Sequence, residues 1–176
     1  MPPKDIRAFL ARAEDLGAGQ ALSFLRDVDA INLRCRARAV RLAAELAGGS
    51  LAGRAVGVLG AAFKPGSDDV RDSPALDVAA ALHGLGARVT LYDPAATGKA
   101  RHAHPELGYA DSAEGAARDA EVLLVLTEWE EFRHADPEIL VKAVARRNVL
   151  DARNALDAEQ WRAAGWEYRA PGRPGP

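Results

Sequence analysis

The sequence predicts an α/β fold: a mostly parallel β-sheet with flanking helices, preceded by a short helix and a long one. Three observations lead there. From residue 54 onward, short apolar runs bounded by glycine or by Asp-Pro read as buried strands. Between them lie segments whose apolar residues recur three and four apart, the period of a helix. Strands and helices alternating at this spacing call for crossover connections, which cover both faces of a parallel sheet. Sheets of this kind bind ligands at the carboxyl ends of their strands, where the strand order reverses, so the chemistry is expected in the loops that follow the strands.

The elements follow in order. Pro2 and Pro3 precede a short helix in which Ile6, Phe9, Leu10 and Ala13 share a face, and Gly17 and Gly19 stop it. From Gln20 to Ala47 the positions Ala21, Phe24, Val28, Ile31, Cys35, Ala39, Leu42 and Leu46 keep the helical period, predicting a helix of about 28 residues and about 42 Å. A helix longer than its domain either packs on a helix outside that domain or lies along its own sheet. Gly48-Gly49-Ser50 ends it, and Arg54-Ala55-Val56-Gly57-Val58-Leu59-Gly60 is the first strand. Ser73 caps the next helix with Pro74 at its first position, and Leu76, Val78, Ala79 and Leu82 form its apolar face. Residues 88–92 are the second strand, closed by Asp93-Pro94. Helices near residues 97–104 and 112–118 lead to the most strand-like run, residues 121–126. A helix over 137–146, a strand over 148–152, a helix over 158–164 and a strand over 166–169 complete the pattern, and the Pro- and Gly-rich residues 171–176 read as a disordered tail. The domain reading is therefore 1–49 for the helical leader, 50–170 for the sheet domain and 171–176 for the tail.

Composition narrows the function. The 176 residues suit one ordinary domain with a short appended segment, not a large two-domain enzyme, and 48% apolar with 27% charged residues is the balance of a globular protein with a real core. The net charge of −2 is uneven: residues 1–54 carry nine Lys/Arg and six Asp/Glu, a net of +3, leaving −5 for the rest. No global positive field gathers nucleic acid or an anionic membrane. Arg34, Arg36, Arg38 and Arg41 fan around their helix without interleaved aromatics, a solvated surface and not a nucleic-acid stripe. The single cysteine, Cys35, cannot form an internal disulfide, and neither an apolar signal core nor a membrane-length apolar run is found, so a cytoplasmic protein is expected. His83, His102, His104 and His134 are scattered, which supports no metal site.

The loop after the first strand, residues 61–72, is long for a strand-to-helix connection, and loops of that kind are often functional. It lacks the Gly-x-Gly-x-x-Gly turn of a dinucleotide site: Gly57 and Gly60 have neither the spacing nor the final glycine. It offers Lys64 and Arg71 above a helix N-terminus, either for phosphate groups or as a solvated loop braced by Asp68, Asp69 and Asp72. Asp93 ends the second strand, where a ribose-binding carboxylate would lie, but before Pro94 it is more often a turn residue. Trp129 and Phe132 either pack the sheet edge or form a ligand platform. Arg153, directly after the fourth predicted strand, either clamps an anion or pairs with Asp151 or Asp157.

At Phe63-Lys64-Pro65-Gly66-Ser67-Asp68-Asp69-Val70-Arg71-Asp72-Ser73-Pro74 the sequence closely resembles the nucleotide-sugar dehydrogenases of the UDP-glucose/GDP-mannose dehydrogenase family, the UDP-glucose 6-dehydrogenases in particular. Pro3-Lys4-Asp5, Val28-x-x-Ile31-Asn32, Tyr92-Asp93-Pro94, Thr127-Glu128-Trp129 and Asp151-Ala152-Arg153-Asn154 extend the resemblance over about residues 1–168, corresponding to only the back half of the family's protein. It implies a Rossmann-like C-terminal domain that binds UDP-sugar, preceded by the end of the catalytic motif and a central dimerisation helix. The family reaction is a twofold oxidation at C6 of a UDP-hexose by NAD, with a cysteine holding the intermediate, a role a thiolate suits.

The resemblance also assigns roles. Asp5 is the carboxylate assisting proton transfer, Lys4 and Arg71 contact NAD, and Phe63, Lys64 and Arg153 contact the UDP-sugar. The family's catalytic cysteine corresponds to Met1, and Cys35 lies too far along the chain to replace it. The expectation is the C-terminal part of a nucleotide-sugar dehydrogenase, from a truncated gene or a misplaced start, without independent turnover and without tight NAD binding. A stand-alone nucleotide-sugar-binding or dimerising pseudoenzyme is the alternative, and a complete small NAD enzyme is disfavoured by the absent glycine fingerprint. The expected partners are UDP-sugar and a second copy through residues 20–47.

Overall fold

The computed structural model describes residues 9, 11, 12, 15 and 23–173. The chain divides into two units, Met1–Arg38 and Ala39–Pro176. In the first unit residues 9, 11, 12 and 15 are helical, where the short helix is expected; the remainder of that helix, and the predicted start of the long helix at residues 20–22, lie outside the described residues. The long helix α1 spans Ser23–Leu46, 24 residues and about 36 Å. Within the first unit it carries Phe24, Val28, Ile31 and Cys35, four exposed side chains spaced four, three and four. Within the second unit its last turns bury Ala39, Ala43 and Leu46. There Asn148 Nδ2 donates to Leu46 O and Glu121 O, both at 3.0 Å, tying the helix end to the beginnings of two strands.

The second unit holds six parallel strands: β1 (Ala55–Leu59), β2 (Arg88–Tyr92), β3 (Gly108–Tyr109), β4 (Val122–Val125), β5 (Asn148–Asp151) and β6 (Glu167–Arg169), in the order β3-β2-β1-β4-β5-β6. The connecting helices are α2 (Pro74–Gly84), α3 (Thr97–Ala103), α4 (Ala113–Ala117), α5 (Glu130–Arg133), α6 (Pro137–Leu140) and α7 (Ala158–Ala163). Because successive strand residues face opposite ways, the sheet serves two cores. Val56, Val58, Val122 and Leu124 pack with α1, α2 and α3, burying Ala43, Leu76, Leu82 and Ala100. Leu59, Leu123, Val125 and Val149 pack on the other face with α4, α6 and α7, where Trp161 and Trp166 meet edge to face at 4.8 Å. Gly57 lets α4 come close: a Cβ there would stand 2.5 Å from Ala116 O. Among the described residues no helix is long and apolar enough to cross a membrane.

Five predicted strands and the Ser73 cap are present, with Ser73 Oγ accepting from Leu76 N. Three features differ. β3 is two residues long and α5 a single turn, too short to leave a periodic signal. The helix expected over 137–146 ends at Leu140, because the following backbone leaves it to bond elsewhere: Asp119 N donates to Ala143 O, and Ala145 N and Arg146 N both donate to Ala120 O.

Candidate functional site

The strand order reverses between β1 and β4, and their carboxyl ends mark the crevice where such sheets receive ligands. The loop leaving β1 is held tightly. Gly60 has φ of 107°, and a Cβ there would stand 2.6 Å from Thr127 Cβ. Thr127 Oγ1 donates to Ala62 O at 3.0 Å, and Ser73 Oγ to Ala61 O at 2.6 Å. Asp93, only 2% exposed at the end of β2, accepts five hydrogen bonds. Its Oδ2 takes Ala61 N at 2.8 Å, Ala62 N at 2.9 Å and Trp129 Nε1 at 3.0 Å. Its Oδ1 takes Ala95 N at 3.0 Å and Ala96 N at 2.8 Å.

The buried carboxylate therefore occupies the two N–H groups that a phosphate-binding turn would offer to a ligand, and it has no acceptor capacity left for a ribose. Asp93 is a brace between the loops after β1, β2 and β4. The residues at this turn do not fit a dinucleotide. Trp129 is half-buried with its indole N–H spent on that brace, and Phe132 is fully buried in the core, so both pack the sheet.

The predicted substrate residues follow β1 and β5. Phe63 is half-buried, its N–H donating to Asp69 O, and Lys64 is exposed with no ion-pair partner among the described residues. Arg153 pairs with neither Asp151 nor Asp157 through its guanidinium, a correction to the sequence expectation. Its Nε donates to Glu128 Oε2 at 2.6 Å and its Nη2 to Glu128 Oε1 at 3.0 Å. Strand order is the reason: β4 lies beside β5, which brings the loop bearing Glu128 against the loop bearing Arg153. The pairing holds the Glu128 carboxyl below its ordinary range, chiefly through the hydrogen bond from Arg153, and raises the guanidinium for the same cause.

Asp151, fully buried, accepts from Arg153 N at 3.0 Å, Leu156 N at 2.8 Å and Tyr168 Oη at 2.8 Å, which fixes the backbone on which Arg153 is mounted. β4 separates β1 from β5, so the loops bearing Lys64 and Arg153 start two strand spacings, roughly 10 Å, apart, and a ligand that meets both must span that gap. Lys64, Glu128 and Arg153 lie on the loops that follow β1, β4 and β5, and Glu128 is the member that sequence reasoning named only as part of a motif.

Arg71 lies elsewhere on the β1–α2 loop. It is exposed and closed onto Asp69, with Nε to Oδ1 at 2.9 Å and Nη2 to Oδ2 at 2.8 Å. Beside it Asp68 pairs with Lys99 at 2.6 Å, and these residues line a shallow open cleft with Val70. The bracing role of Asp68 and Asp69 is thus realised, Asp68 through α3 and Asp69 through Arg71. Lys4 and Asp5 lie outside the described residues. No group of three or more metal-ligating side chains gathers among those described.

Six parallel strands in this order, with their loops gathered at the carboxyl edge, define a Rossmann-like class of domain. Residues 57–158 match the UDP-glucose/GDP-mannose dehydrogenase family, UDP binding domain. The chain belongs to this family. It is 36% identical over 172 residues to the UDP-glucose 6-dehydrogenase of Rhizobium meliloti (strain 1021), a match covering 98% of this chain and 39% of that protein. Among solved structures, a UDP-glucose dehydrogenase from the hyperthermophilic archaeon Pyrobaculum islandicum superimposes with a TM-score of 0.72 at 32% identity, covering 93% of this chain and 37% of that one. The UDP-D-ManNAc dehydrogenase of Pyrococcus horikoshii gives 0.69 at 28% identity, over 85% of this chain and 33% of that one. The chain spans about two fifths of the length of the curated relatives it matches.

Proposed function

We propose that this chain is the nucleotide-sugar-binding part of an NAD-dependent UDP-hexose dehydrogenase, and that it holds a UDP-sugar along the carboxyl edge of β1, β4 and β5, with Arg153 on the diphosphate. The observation that carries the reading is the Glu128–Arg153 pair on the loops after β4 and β5, next to the strand-order reversal and inside the segment matched to a UDP binding domain. Lys64 supplies an unpaired ammonium, Arg153 a guanidinium with donors to spare, and Phe63, next to Lys64 in the chain, an aromatic ring. The assignment of residues 1–49 as a helical leader, of Asp5 to proton transfer, and of Lys4 and Arg71 to NAD belongs to the same proposal.

Turnover needs more than these residues. The single thiol, Cys35, is exposed on α1 in the first unit, and the turn after β1 is closed to a dinucleotide by Asp93. The pure chain is expected to bind UDP and to produce no NADH from UDP-glucose. Titration calorimetry with UDP at low salt tests the site. A dissociation constant on the order of 0.1–1 mM, about 4–5.5 kcal/mol, is expected, weakened at least fivefold by Lys64→Ala and by Arg153→Ala. Unchanged affinity in both variants, or NAD binding where UDP does not, overturns it. α1 supports a second element of the reading, a homodimer through residues 20–47, because Phe24, Val28 and Ile31 leave an apolar row in solvent.

A further inference from the structure

A guanidinium carries five N–H donors, four of them paired along a side-on and an end-on edge, and the contacts of Arg153 separate the two edges. Glu128 takes the side-on edge, Nε at 2.6 Å and one Nη2 hydrogen at 3.0 Å. The end-on edge, one hydrogen on Nη1 and the second on Nη2, has no partner among the described residues, and the side chain stays 44% exposed. Both ends of this pair stand on fixed supports. Arg153 N donates to the buried Asp151, while Glu128 lies between Thr127, bonded to Ala62 O, and Trp129, bonded to Asp93.

We propose that Glu128 is the positioning residue of the nucleotide site, holding Arg153 by its side-on edge so that the end-on edge is presented, already ordered, to a phosphate group of the ligand. The inference rests on the reading above that Arg153 meets the diphosphate. Two effects oppose each other. Ordering a free arginine side chain costs on the order of tenfold in affinity. A carboxylate about 6 Å from a phosphate, across water, repels it by only about threefold. The ordering effect is the larger, so removing Glu128 weakens anion binding even though it makes the site more positive. Simple charge counting predicts the opposite sign.

The test is an NMR titration of the full, nitrogen-15-labelled chain with UDP at low salt, following both the affinity and the Arg153 Nε–H resonance. The wild type, Glu128→Ala, Glu128→Gln and Arg153→Lys are compared; the pair is at the surface, so the variants are expected to fold. Expected are a protected Nε–H in the wild type, its loss in Glu128→Ala with about threefold weaker UDP binding, and intermediate behaviour in Glu128→Gln, which keeps one acceptor. Arg153→Lys, which cannot be held along one edge while offering another, is expected to bind at least as weakly as Glu128→Ala. Equal or tighter binding in Glu128→Ala, or UDP binding with an unprotected wild-type Nε–H, overturns the positioning role and leaves the UDP reading standing. A protected Nε–H with no UDP binding to the wild type overturns that reading, and the positioning role with it.

Discussion

Asp93 gathers five donors from three loops while almost wholly buried, so its two oxygens do the work that a bound anion does in other turns of this kind. An amide in its place would turn one acceptor into a donor aimed at backbone N–H groups. Asp93→Asn is therefore expected to destabilise the fold by about 2–4 kcal/mol, the cost of orphaned buried donors facing a lost charge. Trp129→Phe, which removes one of the five bonds and keeps the ring, is expected to cost about 1 kcal/mol. Urea unfolding with unchanged slopes measures both, and equal costs would mean that the carboxylate is not the common anchor. The sequence gives Asp93-Pro94 as a turn, and that much is legible from the pair itself. The five donors come from residues up to 36 positions away, and no local pattern encodes them. The same holds for Glu128 and Arg153, 25 residues apart, whose pairing depends on which strand lies next to which.

At the scale of elements, β1, β2 and β4 are legible from four apolar or β-branched positions each, β5 and β6 from shorter runs that continue the alternation with helices, and β3, with only Gly108 and Tyr109, had no pattern to read. α6 shows the converse, an apolar period that continues past Leu140 while the backbone is claimed by Asp119 and Ala120. The junction of β1 with β4 depends on a missing side chain. Gly60→Ala combines a left-handed φ of 107° with a Cβ placed 2.6 Å from Thr127 Cβ, and a loss of about 2–4 kcal/mol is expected in chemical unfolding. A loss below about 0.5 kcal/mol would mean that this contact is easily relieved. α1 carries the proposed association. Val28→Asp with Ile31→Asp puts two carboxylates into the exposed apolar row, so sedimentation is expected to give a dimer for the unaltered chain and a monomer for the double variant at micromolar concentration. One mass for both proteins would remove α1 from the interface.

Over the whole molecule, alternation of strand and helix made the parallel sheet legible, whereas the order β3-β2-β1-β4-β5-β6 is set by tertiary packing, and the site is a consequence of that order. The order also distributes the three tyrosines across the sheet: Tyr92 and Tyr109 toward one edge, on β2 and β3, and Tyr168 on β6 at the other. In each the phenol is held neutral, first by burial and next by a neighbouring carboxylate. Burial and Glu131 push Tyr92 up to about 12, and burial and Glu106 push Tyr109 up to about 12. Tyr168 is raised by burial and by its hydrogen bond to Asp151. For an acid whose neutral form the fold prefers, the stabilisation is complete below the unfolded value near 10 and is lost as pH rises from there through the folded value. Alkaline titration should then show no phenolate absorbance at pH 10 while the fold is intact, and its appearance should coincide with loss of the far-ultraviolet helical signal above that pH. Three phenols ionising near pH 10 in a protein that keeps its circular dichroism would mean that neither edge of the sheet shields its tyrosines as the structure describes.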